Sequence, residues 1–426
     1  MKFKLRYGRG VVEFELPSGK FLGTLKARTG FDTTDEMDLI TKALERPIHS
    51  PPLRDLLNRN SSVTIVVSDK TRPSGAQIMI PNLIDHLYSA GVGKSGIKIL
   101  FANGNHRQMN SNEMREVVGD QVYTYFPCYN HDCKEQRDLV YLGKTSRGTP
   151  VYINRMIVES DLVIVTGTIS FHYFAGYGGG IKSVIPGSAG FQTIWFNHRL
   201  TVLDAMGPTL HPGCTPGFLK DNPVYLDISE AGEKLDNLFL LNTVLDIDGK
   251  IIYAVAGHVI KAHELGCERL REIYLLPISE RADVVFISCG GYPRDSNFIQ
   301  AHKGIYNAYE AVKKKGSLIV LAECEDGIGS NTFLHWFSYR DLNEMKSNLL
   351  ENYEINAHTA LSFKYKAERS RIFLHTLLEK EVVESMGAGY IYDLNQIPGL
   401  LSEIYGNDFS FYLIPYGNLT LPYLEK

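Results

Sequence analysis

No apolar stretch in this chain of 426 residues approaches the ~20 residues that cross a bilayer, so nothing in it reads as a transmembrane helix. Its opening, Met1-Lys-Phe-Lys-Leu-Arg-Tyr7, is charged and lacks the apolar core of a secretory leader, and a cytoplasmic location is expected. Basic residues are not in excess. Lys and Arg number 44 against 48 Asp and Glu, a net charge of −4 with no basic stripe to follow a nucleic-acid backbone. Cysteine is scarce, six residues too scattered for a disulfide framework. Cys128 and Cys133 bracket a histidine, but their spacing is loose for zinc and no second pair accompanies them. Internal repeats and low-complexity segments are missing as well. What remains is a sequence 44% hydrophobic and 22% charged, long enough for two cores.

Glycine, by contrast, is concentrated where chemistry is expected. Phe171 to Gly187 reads FHYFAGYGGGIKSVIPG, a glycine triplet with a lysine two residues on, directly after the apolar run Asp161 to Gly167. Three bare residues let the backbone come close to a neighbour, and the lysine sets an amine beside it. Two phosphate motifs fail here at one position: Ile181 separates Gly180 from Lys182, and it also occupies the place where a dinucleotide fingerprint from Gly176 needs a small residue. Two other runs end in the same way. Val63 to Val67 leads into Ser68-Asp-Lys-Thr-Arg-Pro-Ser-Gly75, and Ile97 to Phe101 leads into Ala102-Asn-Gly-Asn-His-Arg107. Each has the length and branching of a buried parallel strand followed by a helical pattern. In open α/β sheets such loops converge beyond the carboxyl ends of the strands.

The expected fold is α/β, two domains of mainly parallel βα units with an active-site cleft between them. The alternation Val11-Val-Glu-Phe-Glu-Leu16 predicts an antiparallel ribbon, and βα units run to about residue 270. A second series opens at Ala282-Asp-Val-Val-Phe-Ile-Ser-Cys289, with a helix expected through about Lys315 and a strand from Ser317 to Ala322. The boundary is set near 275, giving a cofactor-binding catalytic domain over 1–275 and a domain closing the cleft over 276–404. The apolar tail, 405–426, is expected to pack back on the first domain.

Taken together, Asp69-Lys-Thr-Arg72, Gly104-Asn-His-Arg107, His172 with Gly178-Gly-Gly-Ile-Lys182, Asn197-His198 and Gln300-Ala-His-Lys303 resemble the nickel-pincer-dependent lactate racemase family, in the family's order and over about residues 60 to 305. The resemblance implies racemisation of lactate or a related 2-hydroxy acid by hydride transfer through a 2-keto acid. It implies a nickel-pincer nucleotide, a pyridinium mononucleotide with two thio substituents, tethered to Lys182 and holding Ni(II), with accessory proteins that make it. His198 matches the nickel ligand, and His106 and His172 match the two acid–base residues. Arg72, Gln300 and Lys303 match groups that meet the substrate, with Asp69 orienting cofactor hydroxyls or Arg72. Gly178, Gly179 and Gly180 are expected to let the cofactor ring lie against bare backbone. Ile299, beside Gln300, is expected to help choose among larger 2-hydroxy acids.

Other readings stay open on the residues alone. Lys182 could pair with a phosphate or carboxylate in a non-catalytic nucleotide-binding protein. His106, His172 and His198 could hold zinc in a hydrolase, although no HExxH-type spacing or carboxylate base accompanies them. Trp336 and Phe363 are read either as a cleft wall or as core.

Overall fold

The computed structural model describes residues 1–16, 18–28 and 35–425. The aliphatic runs become strands buried on both faces: Val63–Ser68, Ile97–Ala102 and Leu162–Thr168. They lie in a six-stranded sheet ordered Ile251–Gly257, Leu238–Leu245, Leu162–Thr168, Val63–Ser68, Ile97–Ala102, Cys128–Asn130. All neighbours in it are parallel except the first pair. A second sheet of six strands is parallel throughout, ordered Gly389–Tyr390, Arg371–His375, Val312–Leu321, Ala282–Ser288, Ser410–Ile414, Lys20–Thr24.

In the first sheet the chain starts at Val63–Ser68, moves outward on one side, and returns to the other side at Leu162–Thr168. The second sheet does the same between Ala282–Ser288 and Ser410–Ile414. At such reversals the loops leaving the two strands part and open a crevice. Both crevices contribute walls to one cleft, described below.

Sheet membership corrects the expected division of the chain. The first residues do form an antiparallel ribbon, Lys2–Tyr7 with Gly10–Glu15, but Leu5, Phe14 and Leu16 pack with Val284, Phe286 and Phe411 of the second sheet. Lys20–Thr24 is that sheet's edge strand. The tail also stays there. Ser410–Ile414 pairs with Ala282–Ser288, and Leu421–Leu424 pairs with Leu275–Ile278, the strand leading into the second sheet. Parallel pairing next to a central strand buries the tail's apolar side chains on both faces, which outweighs a return across the cleft. The helix expected through Lys315 ends at Ala308, and the following strand starts at Val312. The helix after the glycine-rich loop runs over Phe191–Arg199.

Candidate active site

The turn after Val63–Ser68 is closed by its own acid. Thr71 donates to Asp69 Oδ1 from its backbone N at 3.1 Å and from its hydroxyl at 2.6 Å, and Arg72 N donates to Asp69 O. Beyond the neighbouring strand, His106 Nδ1 lies 2.5 Å from Asp69 Oδ2. Burial opposes ionisation of Asp69, yet His106, Arg72 and Thr71 hold its carboxyl well below the usual range. The carboxylate must accept, so Nδ1 carries the proton and Nε2 of the neutral His106 ring is a base. Asp69 therefore holds His106 as well as the Thr71 and Arg72 groups of its own turn. Lys70 and Arg107, from the same loops, are both taken up by Glu113.

His172 follows Leu162–Thr168 and is buried, its ring edge-on to Phe174 at 4.5 Å. Burial, then the positive charges of Lys182, Lys303 and Arg72, push its pKa well below the ordinary histidine value. Ala175 N donates to Nδ1 at 3.3 Å, so the neutral ring carries its proton on Nε2. The two histidines thus start from opposite ring-proton positions.

Lys182 sits in the turn Gly180–Ser183 with Nζ 5.5 Å from the centre of the Phe174 ring. Burial, with Arg72 and Lys303 nearby, drives its pKa well below the ordinary lysine value. His198, on the helix Phe191–Arg199, packs against the same Phe174 at 5.1 Å. Its Nδ1 is buried with no hydrogen-bond partner. From the second sheet, the helix Phe298–Ala308, capped by the Asn297 side chain, carries Gln300 and Lys303 on one face. Lys303 Nζ donates to Gln300 Oε1 at 2.5 Å. Burial, then Arg72, pulls the Lys303 pKa down to about 7.

These side chains meet. Asp69, Arg72, His106, His172, Lys182 and His198 line one cavity of about 110 Å³ from the first sheet's side, and Gln300 and Lys303 close it from the second. Ile299, Ile355 and Asn356 link this cavity to an outer one of about 850 Å³ between the two units. Arg72, Lys182 and Lys303 have no carboxylate within ion-pairing distance among the described residues.

The glycine triplet has a demand of its own from the protein around it. Gly179 touches the cavity, but a Cβ there would lie 2.5 Å from Asn242 Oδ1 and 3.0 Å from Thr168 O. At Gly180 a Cβ would meet the His263 ring at 2.7 Å, and at Gly178 the Ser170 hydroxyl at 3.0 Å. Gly179 and Gly180 also have φ of +74° and +60°, conformations natural to glycine. Gly180 N donates to Asn242 Oδ1 at 2.7 Å, and His263 Nε2 lies 2.9 Å from Gly178 O. The close neighbour that demands bare backbone is therefore protein, and the triplet fixes Lys182 by packing its loop onto a strand and a helix.

Residues that carried no sequence signal complete the wall. His358 lines the cavity, with Tyr353 and Tyr173 hydroxyls on its two nitrogens at 2.8 and 3.1 Å, and burial lowers its pKa to about 3. Phe174, between His172 and Lys182, was legible only as part of the quoted loop. Trp336 and Phe363 are core, at 2% and 0% exposed.

The donor set fits a nucleotide-borne nickel. His198 offers an unpartnered nitrogen, and a neutral imidazole suits Ni(II). Lys182 offers a buried, unpaired amine. Among the described residues no three His, Cys, Asp or Glu side chains are grouped to hold an ion. The zinc reading of His106, His172 and His198 therefore has no geometric support, and a metal bound at His198 would draw its other donors from the nucleotide.

Two α/β units meeting at a cationic cavity with a carboxylate-backed histidine define an enzyme acting on small anions. Residues 7–207 match the family described as the lactate racemase N-terminal domain, and residues 278–419 match the lactate racemase C-terminal domain. A curated lactate racemase of Thermoanaerobacterium thermosaccharolyticum is 32% identical over 97% of both chains. Another, of Lactiplantibacillus plantarum, is 32% identical over 78% of this chain and 77% of its own. The solved lactate racemase apoprotein of T. thermosaccharolyticum superimposes with a TM-score of 0.89 at 31% identity, covering both chains fully. A Thermotoga maritima protein structure shares the fold at a TM-score of 0.67 and 20% identity, over 92% of this chain and 97% of its own. The chain belongs to the lactate racemase family.

Proposed function

We propose that this protein is an isomerase that interconverts L- and D-lactate through pyruvate, using a nickel-pincer mononucleotide tethered at Lys182 and nickel bound by His198. The observation that carries this reading is a single cavity holding an Asp69-backed His106, a buried His172 and three cations, Arg72, Lys182 and Lys303, without carboxylate partners. When bound, the cofactor supplies a reversible hydride acceptor for the substrate's C2. The chain's own residues do the rest. Arg72 and Lys303 bind the substrate carboxylate, with Gln300 steadying Lys303. His106 Nε2 takes the hydroxyl proton as C2 gives up hydride, and Asp69 stabilises the imidazolium that results. On the other face His172 returns a proton to the oxygen. For this His172 enters the turnover protonated, its Nδ1 having given up the 3.3 Å contact with Ala175 N, and it leaves neutral while His106 leaves protonated; exchange of one proton with solvent at each ring between turnovers restores both. Burial excludes water from the transfer.

Cofactor-synthesising proteins are the partners this scheme requires. A longer 2-hydroxy acid is the second reading, favoured by the outer cavity of about 850 Å³ reached past Ile299. The deciding experiment is intact-mass and nickel analysis of protein purified from cells that make the cofactor, with a racemisation assay on the same sample. A mass adduct mapped to Lys182, about one nickel per adduct and lactate racemisation are expected. Racemisation by protein free of adduct and nickel would overturn the proposal.

A further inference from the structure

We infer that a second lobe of the cleft is a phosphate subsite anchored by Arg294, an inference that rests on the reading of the site as the home of a mononucleotide. The lobe has a volume of about 90 Å³ and opens behind His172, sharing Ser68, Arg72, Gln300 and Lys303 with the reaction cavity. A water needs roughly 10–15 Å³ on this measure, so a phosphate-sized anion fits. Arg294, from the loop that leaves Ala282–Ser288 at the second sheet's reversal, also lines it.

Arg294 is the informative residue. Its guanidinium makes no hydrogen bond or ion pair among the described residues. Burial lowers its pKa, although a guanidinium stays charged in proteins. An unpaired buried cation is costly, and here only the more distant Asp246 carboxylate and the Tyr274 and Tyr416 hydroxyls offset it in part, against Arg6. The loop is nevertheless held in place. Asn418 donates to Arg294 O at 3.0 Å and to Gln300 O at 3.2 Å. Ser68 and Ser170 add hydroxyls to the lobe that make no side-chain hydrogen bond to the protein. A fixed guanidinium fork, a lysine and two free hydroxyls are a donor set for a tetrahedral oxyanion.

Charge separates phosphate from substrate. Arg72, Arg294 and Lys303 bring three positive charges to the two connected lobes. A phosphomonoester carries about −1.5 to −2 and the substrate carboxylate −1, so each anion finds cationic side chains of its own along the two lobes. Lys182 and His198 line only the reaction lobe. A nucleotide held there would reach its phosphate past Arg72 towards Arg294, leaving the substrate carboxylate between Arg72 and Lys303.

The test uses the full-length apoprotein and calorimetric titration with nicotinic acid mononucleotide, its riboside lacking phosphate, and inorganic phosphate. Wild-type protein should bind the mononucleotide at least ~10-fold more tightly than the riboside, the range of a charge-assisted contact. Arg294→Gln should bring that ratio towards one with riboside affinity unchanged, and Arg294→Lys should recover part of it. Ser170→Ala, which leaves the buried charge alone, should reduce the ratio about 2- to 10-fold and covers the case in which Arg294→Gln does not fold. A ratio unchanged in the folded Arg294 and Ser170 variants overturns the inference. So does a raised KM for lactate in loaded Arg294→Gln with the ratio retained, which would assign the lobe to substrate. Equal wild-type binding of mononucleotide and riboside removes the phosphate subsite while leaving the mononucleotide reading intact. Binding of neither, with Arg294-dependent thermal stabilisation by inorganic phosphate, keeps the oxyanion lobe and removes the mononucleotide.

Discussion

Replacing Asp69 by Asn separates the charge behind His106 from the shape of its loop. Asp69 is 4% exposed and accepts from His106 Nδ1 at 2.5 Å and twice from Thr71. Asparagine keeps an oxygen for Thr71 but loses the charge. It can also turn its NH₂ towards Nδ1, which moves the ring proton to Nε2 and removes the base. A charge-assisted hydrogen bond of this kind contributes about 1.5–3 kcal/mol. Expressed fully in the transition state, that is a fall in kcat of roughly 10- to 150-fold at about 1.4 kcal/mol per decade. The assay is lactate racemisation in both directions by the cofactor-loaded variant, with nickel and adduct measured on the same sample. In an Asp69→Asn, His106→Ala double variant the second change should add little, because both act through one proton transfer. Folding supplies an independent check. The Asp69 pKa is depressed in the folded protein, so its contribution to stability is present above the unfolded carboxylate pKa of about 4 and is lost as pH falls through the folded value. The Tm difference between wild type and variant should therefore be larger at pH 7 than at pH 3. A loaded variant within about threefold of wild-type kcat in both directions would refute the assignment of Asp69 to His106.

His198→Ala should lose nickel more completely than His106→Ala or His172→Ala, since His198 is the proposed ligand and its buried Nδ1 is unpartnered, whereas His106 and His172 have Nδ1 engaged by Asp69 and Ala175; equal nickel in the three loaded proteins would remove it from the coordination sphere. Gly180→Ala should cost on the order of 1–3 kcal/mol in urea unfolding, because its Cβ would meet His263 at 2.7 Å and its φ is positive; a change below about 0.5 kcal/mol would mean that the loop moves freely. Lys303, with a folded pKa of about 7, binds fewer protons than in the unfolded chain between pH 7 and about 10, so stability attributable to it rises with pH across that window. Lys303→Met should accordingly stabilise the apoprotein more at pH 6 than at pH 9, and lactate binding to wild-type apoprotein at pH 8 should take up a proton that the variant does not. Calorimetry in buffers of different ionisation enthalpy reads this, and equal proton uptake by both proteins would assign it elsewhere.

Much of the site was legible because strands buried on both faces write themselves as uninterrupted aliphatic runs. The polar cluster after each run is then placed by a general property of parallel sheets. Asp69, Arg72, His106, His172 and Lys182 all follow from three such strand ends. Residues with long-range partners were much less legible. Lys20–Thr24 and Ser410–Ile414 are five residues each, nearly 390 apart in sequence, and only their pairing assigns them to the second sheet. Asn242 and His263, which force the glycines on the Lys182 loop, lie inside a strand and a helix whose local patterns are unremarkable. Arg294 stands in the loop after Cys289, where the strand-end argument applied equally, yet no motif drew attention to it.

The same contrast bears on how one cavity can serve two mirror-image substrates. On the proposed roles, exchange of L for D uses groups on both faces of C2, and the first sheet offers them from strands on opposite sides of its reversal, His106 after Ile97–Ala102 and His172 after Leu162–Thr168. The surroundings of the two rings are not mirror images. His106 is backed by a buried carboxylate and stands partly open to the outer cavity, whereas His172 is buried, faces cations and accepts from an amide. Burial, nearby cations and an amide N–H disfavour the protonated His172 ring, so a proton placed there changes energy even when L- and D-lactate do not. Overall equilibrium is indifferent to this offset, because the substrates are enantiomers, but the two half-reactions are not. On the proposed roles, the half-reaction that needs a proton on His172 carries the larger share of the barrier.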